Sequence, residues 1–163
     1  MTKSFRLMTA LALTIPLAPS ALAAPQPHAG TVVLTNEQIP WHAAPADFPH
    51  GVEIAHVYGT PSQAGPFVIR VRMPAHSWIA PHTHNMDETL SVLDGHFTHS
   101  VGADKATATT QDLGPGGFVH LPKNTPHALR TGDSPVTMEI SGIGPFGMTY
   151  LNPADDPSKT PAK

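Results

Sequence analysis

The residues of this sequence that could do chemistry are concentrated in the segment PHTHNMDETLSVLDG, residues 81–95. On an extended chain successive side chains alternate between two faces, so His82 and His84 project to the same side. Glu88 shares their parity if the intervening turn adds no net shift. Imidazole and carboxylate groups are ligands of first-row divalent metal ions. The spacing therefore predicts three corners of a mononuclear metal site.

A fourth ligand is expected from a neighbouring strand, and the segment GGFVHLPKNTPHALRT, residues 116–131, offers His127. Pro122 and Asn124 predict a tight turn before it, because asparagine tolerates the left-handed backbone that such turns often need. This turn would deliver His127 to the start of the next strand. The predicted metal ligands are His82, His84, Glu88 and His127.

Two further histidines are candidate catalytic residues. His76 lies six residues before the first predicted ligand, and His120 lies seven residues before the last one, where strand alternation could turn it inward. Each could transfer protons at the site, support a ligand through a hydrogen bond, or simply be exposed. His96 and His99 flank a turn predicted after Gly95, where solvent exposure is favoured.

The elements that must position these residues are short β-rich runs. Between Trp41 and Tyr150 no stretch keeps a helical period for three turns without meeting proline or glycine, and runs such as PFVIRVRMP recur between turn residues. This pattern predicts an antiparallel sandwich or barrel. Within that run, alternation places Arg70 and Arg72 on the solvated face. Six large apolar residues are predicted in the core, namely Met73, Trp78, Met86, Phe97, Phe118 and Met138.

The composition restricts the classes of function. The chain has 163 residues, with 11 His, no Cys and 9 Lys+Arg against 12 Asp+Glu. This length predicts a single domain, and the absence of cysteine excludes disulfides, thiolate metal sites and thiol nucleophiles. Because no basic excess exists, we expect no nucleic-acid partner. The abundance of histidine favours metal chemistry.

The two ends of the chain differ from the middle. Residues 1–23 carry Lys3 and Arg6, a short apolar run and the sequence Ala-Leu-Ala at 21–23. These features predict a cleaved secretory signal peptide, which is too short and proline-interrupted to span a bilayer. We therefore expect a periplasmic or secreted protein without stable membrane insertion. The predicted organisation continues with a flexible leader at 24–40, a β-barrel domain at 41–152 and a flexible tail at 153–163.

Two motifs carry a family resemblance. The pattern HxHxxxExxxxxxG is met from His82 to Gly95, and GxxxxxPxGxxH is met from Gly116 to His127 except at one glycine. Together they resemble the two motifs of the cupin superfamily, and residues 41–157 are similar to small exported single-domain cupins. The sequence departs from the motifs at three positions, because His76 and Asn124 stand in place of glycine and Thr131 in place of asparagine.

The resemblance implies an all-β fold, a single double-stranded β-helix or jelly-roll barrel, and a site of three histidines and one glutamate. It implies one divalent transition metal ion, which could be Fe, Mn, Ni, Cu or Zn, and a homodimer formed through edge strands. The leading function is a metal-dependent enzyme of the dioxygenase or oxidase type acting on a small organic substrate. The alternatives are a non-oxidative cupin (isomerase, decarboxylase or lyase) and a non-catalytic module that binds a metal or small ligand.

A zinc hydrolase is a less favoured alternative from the residues themselves. Histidines at this spacing also suit zinc. However, Asp87 is the free carboxylate that directly adjoins Glu88, and its parity is opposite to that of Glu88. We therefore expect Asp87 to point away from the ion.

Overall fold

A computed structural model of the chain describes residues 30–159, so the predicted signal peptide at 1–23 lies outside the described residues. The described part consists of β-strands with three short 3-10 helices. The strands are β1 (His42–Ala43), β2 (Glu53–Tyr58), β3 (Gly65–Met73), β4 (Trp78–His84), β5 (Glu88–Val101), β6 (Thr109–Leu113), β7 (Phe118–Leu121), β8 (His127–Gly144) and β9 (Met148–Tyr150). The 3-10 helices are Asn36–Gln38, Pro153–Asp155 and Pro157–Lys159.

The strands form one curled antiparallel sheet around the two longest strands, β5 and β8, which pair with each other over most of their lengths. The first half of β5 also pairs with β7, and its second half pairs with β6. The second half of β8 pairs with β3, and its first half pairs with β4. Because the outer neighbours change along both long strands, the sheet folds over onto itself. This architecture is consistent with the predicted cupin barrel.

Strand β3 shows how the sequence builds the core. Its alternate residues Phe67, Ile69, Val71 and Met73 are buried inside the barrel. Between them, Arg70 pairs with Glu139 at 3.0 Å, and Arg72 pairs with Glu53 at 3.2 Å. The predicted division of this strand into a core face and a solvated face is confirmed.

The set of residues that face inward changes midway along the long strand β5. Buried positions are even-numbered up to Val92 and odd-numbered from Phe97. The register with β8 shifts on both sides of Gly95, which has a φ of +76°. A Cβ at this position would collide with the carbonyl oxygen of Pro135. Only glycine combines this backbone conformation with so close an approach, and the resulting bulge inverts the side-chain parity.

The predicted core is partly corrected by the structure. Trp78 and Phe118 are exposed by 43% and 62%, because they occupy outward positions of β4 and β7. The guanidinium of Arg130 covers the Trp78 ring at 5.1 Å from its centroid. The other four predicted core residues are buried or half-buried, namely Met73, Met86, Phe97 and Met138.

The segments outside the barrel strands contain local structure. The helix Asn36–Gln38 lies within the predicted leader, and Ile39 after it is buried with 5% exposure. Two more 3-10 helices occupy 153–159 of the predicted tail. Flexibility of both segments stays a prediction. None of the helices between residues 30 and 159 has the length and apolarity that a membrane span requires.

Candidate metal centre

The four predicted ligands converge inside the barrel. His82 and His84 lie at the end of β4, Glu88 begins β5 and His127 begins β8. The donor atoms of the three histidines lie within 4.8 Å of one another. Oε2 of Glu88 is 3.6 Å from Nε2 of His84 and 3.3 Å from Nε2 of His127. All four side chains are buried.

The turn that delivers His127 forms as predicted. Asn124 has a φ of +62°, and its backbone N–H donates to the carbonyl of His84 at 2.7 Å. The carboxylate of Asp87 accepts a hydrogen bond from the backbone N–H of Lys123 at 2.8 Å. These two bonds tie the turn before β8 to the loop between β4 and β5. They also occupy the Asp87 carboxylate outside the cluster.

Backbone carbonyl oxygens orient the three histidine rings. Nδ1 lies 2.8 Å from the Ala80 carbonyl in His82, 3.0 Å from the Gly147 carbonyl in His84 and 3.0 Å from the Thr125 carbonyl in His127. Because a carbonyl can only accept, each Nδ1 must carry the proton of that bond. In a neutral ring the lone pair is then on Nε2. This is the arrangement that metal-ligating histidines commonly have.

Burial sets the charge of the cluster. It lowers the pKa of His82 well below 6.5, and the neighbouring His127 and His84 lower that pKa further. Burial also lowers the pKa of His84, against the opposing effect of the Glu88 carboxylate. For Glu88, burial raises the pKa, but the adjacent His127 and the charges of the nearby histidines outweigh it and leave the pKa lowered. Neutral imidazoles beside an ionised carboxylate are what a divalent cation requires.

One atom of the cluster lacks a protein partner. Nε2 of His127 is buried and makes no hydrogen bond within residues 30–159. A buried polar atom left unpaired costs about 1–3 kcal/mol, so such atoms usually face another group. Nε2 of His127 lies near ligand nitrogens of the other two histidines and near a carboxylate oxygen of Glu88. This grouping of ligand atoms suits a divalent metal ion. The three-histidine cluster with Glu88 therefore fits a metal centre chemically and geometrically.

A fourth buried histidine adjoins this cluster. His99 is only 4% exposed, and its ring lies 5.5 Å from that of His127 at an interplanar angle of 26°. Burial, followed by the charge of His127, lowers the pKa of His99 to about 4. Solvent exposure was the favoured expectation for His99 and is wrong. The bulge at Gly95 carries β5 onward where the sequence predicts a turn, and it reverses the parity.

The two predicted catalytic histidines lie elsewhere. His76 is exposed in the turn before β4, with Nε2 3.7 Å from the carboxylate of Asp133. His120 is exposed on β7, with Nδ1 3.4 Å from Oγ1 of Thr89. In β7 the alternation turns the neighbouring Leu121 inward instead. The structure therefore brings neither His76 nor His120 to the metal-ligand cluster.

A small cavity of about 40 Å³ borders the cluster at His82, His84 and Glu88. The rest of its lining is apolar, formed by Phe48, Ile69, Val71, Ile79, Leu129, Met138, Ile140, Phe146 and Met148. A groove of about 270 Å³ shares part of this lining and also touches His84. The Phe146 ring stacks on the His84 ring at 4.3 Å where the two spaces meet. The groove therefore adjoins the cluster at His84.

The groove also has polar residues on its walls. Asp47 and His56 line it, and the Tyr150 hydroxyl donates a hydrogen bond to the Asp47 backbone carbonyl at 2.7 Å. Another hollow, of about 340 Å³, lies beside Trp78 and Arg130 on the outer face of the sheet. Its lining includes none of the cluster residues, so the groove is the space relevant to the metal centre.

Several solved structures are similar to this chain in fold. The polyketide cyclase RemF from Streptomyces resistomycificus has 14% identity and a TM-score of 0.67, over 79% of this chain and 91% of that one. An RmlC-like cupin from Ralstonia eutropha has 17% identity and a TM-score of 0.60, over 77% and 74%. The DMSP lyase DddQ from Ruegeria pomeroyi has 23% identity and a TM-score of 0.57, over 76% and 62%.

The sequence comparison locates the family match within the barrel. No curated protein matches the chain. The model of the cupin domain family matches residues 69–141, which run from β3 into the second half of β8 and contain all four predicted ligands. This match identifies residues 69–141 as a cupin domain, and the curled β-sheet around it resembles cupin structures in fold.

Proposed function

We propose that this protein is an exported, mononuclear metal-dependent enzyme of the dioxygenase or oxidase type, acting on a small organic substrate. The observation that carries the proposal is the position of the ligand cluster. Three imidazoles fixed by backbone carbonyls and one carboxylate border an apolar cavity that adjoins a surface groove. The metal, when bound, supplies Lewis-acid or oxygen-activating chemistry.

The protein residues have separate roles in this proposal. His82, His84 and His127 hold the ion through Nε2, and Glu88 offsets part of its charge. The cavity lining excludes water, which strengthens electrostatic interactions with a bound substrate. Within residues 30–159, the cavity is lined by no titratable side chain other than three of the ligands. Chemistry driven by the metal, and not by a separate protein acid or base, is therefore favoured.

The dimensions of the groove restrict the substrate. A volume of about 270 Å³ is near the lower end of ligand-pocket sizes, about 300–1,000 Å³. The cavity of about 40 Å³ has room for little more than one water molecule or a diatomic gas. A substrate in the groove would reach the metal beside the rings of His84 and Phe146. We therefore expect a small and largely apolar substrate with an oxygen group directed at the metal.

A non-oxidative reaction is the second candidate. Asp47 and His56 line the groove and could transfer protons to a substrate there. The names of two similar structures, a cyclase and a lyase, belong to this class of reaction. At 14% and 23% identity, however, these similarities speak for the fold alone. A metal-binding module without turnover is the remaining alternative.

Export and dimerisation belong to the same proposal and rest on the sequence. The predicted signal peptide places the mature protein in the periplasm or medium, and edge strands are the expected dimer contact. Fractionation of cells that express the full chain tests export, and sedimentation of the mature protein tests the dimer. A protein retained in the cytoplasm, or a monomer at all concentrations, would contradict these parts.

Metal content is the decisive measurement. We expect about one iron, manganese, nickel, copper or zinc ion per chain in protein purified from its native compartment. His82→Ala and His127→Ala should abolish binding, whereas His120→Ala, the matched change at an exposed position, should not. Circular dichroism of the variants separates loss of ligand from loss of fold. A wild-type protein without any metal would refute the site.

Oxygen uptake then separates the classes of reaction. The metal-loaded protein is assayed with a panel of small phenols, diketones and carboxylic acids. Oxygen consumption that depends on His127 and on one of these compounds is the expected result. Product formation without oxygen uptake would favour a lyase, isomerase or decarboxylase. Bound metal without turnover of any compound would favour the binding module.

A further inference from the structure

His99 is a buried histidine to which the family pattern gives no role. Its Nε2 atom is buried and has no hydrogen-bond partner in the part of the chain from 30 to 159. The same is true of Nε2 of His127, whose ring lies 5.5 Å from that of His99. Two adjacent buried imidazoles whose Nε2 atoms make no hydrogen bond carry a polar penalty. A single group bound by both nitrogens would remove it.

The contacts within the cluster indicate where His99 lies relative to the other histidines. His127 adjoins all other members, with ring centroids 4.1 Å from His82, 5.2 Å from His84 and 5.5 Å from His99, and with Nε2 3.3 Å from Glu88. His84 adjoins His82 at 5.0 Å between rings and Glu88 at 3.6 Å. His99 therefore joins the cluster through His127, the member that adjoins all the others.

The small cavity indicates where a coordination position would stay open. An octahedral ion accepts six donor atoms, so four imidazoles and Glu88 would leave one position. The cavity touches His82, His84 and Glu88. The open position would therefore face this cavity.

We propose that His99 is a fifth protein ligand, so that the metal is held by four imidazoles and Glu88 with one coordination position open to the cavity. This inference rests on the proposed metal site and extends it. The donor atom is Nε2 of His99, a residue that lines neither the small cavity nor the groove. In the usual cupin ligand set of three histidines and one glutamate, two positions would stay open.

The additional nitrogen has two chemical consequences. Imidazole suits zinc, copper, iron and nickel, whereas oxygen-rich sites suit manganese, so His99 shifts the preference away from manganese. A single open position accepts one donor atom at a time. A substrate that binds through two oxygens would therefore have to displace a protein ligand, and a monodentate substrate is favoured.

The ligand count can be measured directly by nitrogen NMR. The mature protein is labelled with ¹⁵N and titrated with Zn²⁺, which is diamagnetic, and long-range ¹H–¹⁵N spectra follow each imidazole. Nε2 resonances that bind zinc move from the position of a free lone-pair nitrogen. We expect four rings to respond, one of them assigned to His99 by its disappearance in His99→Phe. His120→Phe is the matched control and should remove a resonance that does not respond to zinc.

The outcomes separate this inference from the proposed function. If three rings respond and His99 does not, His99 is not a ligand although the metal site stands. If no ring responds, the metal site and the inference both fail. The wild-type count needs no variant, so a poorly folded His99→Phe does not compromise it. His99→Gln offers a second substitution of similar polarity.

Metal affinity provides an independent check. Loss of a group that only supports a ligand typically weakens metal binding about 10- to 100-fold. Loss of a direct ligand should exceed that range, so we expect His99→Phe to weaken Zn²⁺ binding more than about 100-fold in competition with a chelator. A loss of about 100-fold or less would overturn the assignment, because a supporting role would explain it. His120→Phe should leave the affinity unchanged.

Discussion

The barrel interior and its outer face hold the same residue type in contrasting environments. Of the ten histidines between residues 30 and 159, four are buried and six are exposed. The buried ones are His82, His84, His99 and His127, and the exposed ones are His42, His50, His56, His76, His96 and His120. The buried set forms one cluster with Glu88, whereas the exposed set is dispersed over the surface. Abundant histidine therefore indicates metal chemistry only after the fold has separated the two sets.

Gly95 decides on which side of the barrel wall His99 lies. We expect Gly95→Ala to destabilise the protein by about 2–5 kcal/mol, because a left-handed alanine costs about 1–2 kcal/mol and the collision with the Pro135 carbonyl adds strain. Urea unfolding measures the loss. Gly116→Ala is the control, since Gly116 has a φ of +85° but open space around its Cβ position. Equal losses of unfolding free energy for Gly95→Ala and Gly116→Ala would show that the bulge tolerates a side chain.

Acid should distinguish the two sets of histidines in the metal-free protein. The pKa of buried His99 is lowered to about 4 from 6.5, so between these values the unfolded chain binds more protons. Stability should therefore fall as the pH falls from about 6.5 to 4, by up to about 1.4 kcal/mol per pH unit for this histidine. Burial of His82 and His84 acts in the same direction.

The pH dependence of the unfolding free energy tests this difference. His99→Phe should reduce the slope between pH 4.5 and 6.5, and His120→Phe on the outer face is the matched control. The experiment compares midpoints of urea unfolding after removal of metal with a chelator. A slope that responds equally to both substitutions would contradict the contrast between interior and surface. The lowered pKa of Glu88 adds a further loss of stability below its ordinary value of 4.5.

The smallest expected effect concerns the groove. The Tyr150 hydroxyl, which donates to the Asp47 carbonyl at 2.7 Å, holds the segment before β2 near the cluster. Tyr150→Phe should cost about 0.5–1.5 kcal/mol, the usual net value of such a bond. Glu53→Gln removes an exposed ion pair with Arg72 and should cost less, about 0–1 kcal/mol. Thermal unfolding of both variants shows which substitution costs more stability. A larger loss for Glu53→Gln than for Tyr150→Phe would show that the Tyr150 hydroxyl contributes little.

The sequence predicts the part of the site that lies on regular structure. His82 and His84 alternate on one strand, and the turn at Asn124 gives a definite start to the strand of His127. Strand parity and turn chemistry are local properties, so spacing predicts how these side chains are oriented, while the pairing of β4 with β8 brings His127 opposite His82. The β-rich runs and the two motifs likewise predict the cupin barrel.

The part that could not be predicted depends on contacts distant in sequence. His99 is inside because Gly95 forms a bulge against Pro135, which no local pattern reveals. Trp78 and Phe118 have apolar side chains typical of a core, but the pairing of their strands turns them outward. His120 is also turned outward by the pairing of its strand. Counting alternate residues along a strand predicts which side chains face inward only when the register and the bulges of that strand are known.

The attachment of the histidine rings to main-chain carbonyls has an evolutionary consequence. The oxygens of Ala80, Thr125 and Gly147 are present whatever side chains those positions carry. Substitution there leaves the orienting acceptor in place as long as the backbone path is kept. The lining of the groove can therefore diverge under selection for new substrates while the geometry of the ligands is inherited. A centre supported in this way combines a fixed reactive core with a freely variable specificity.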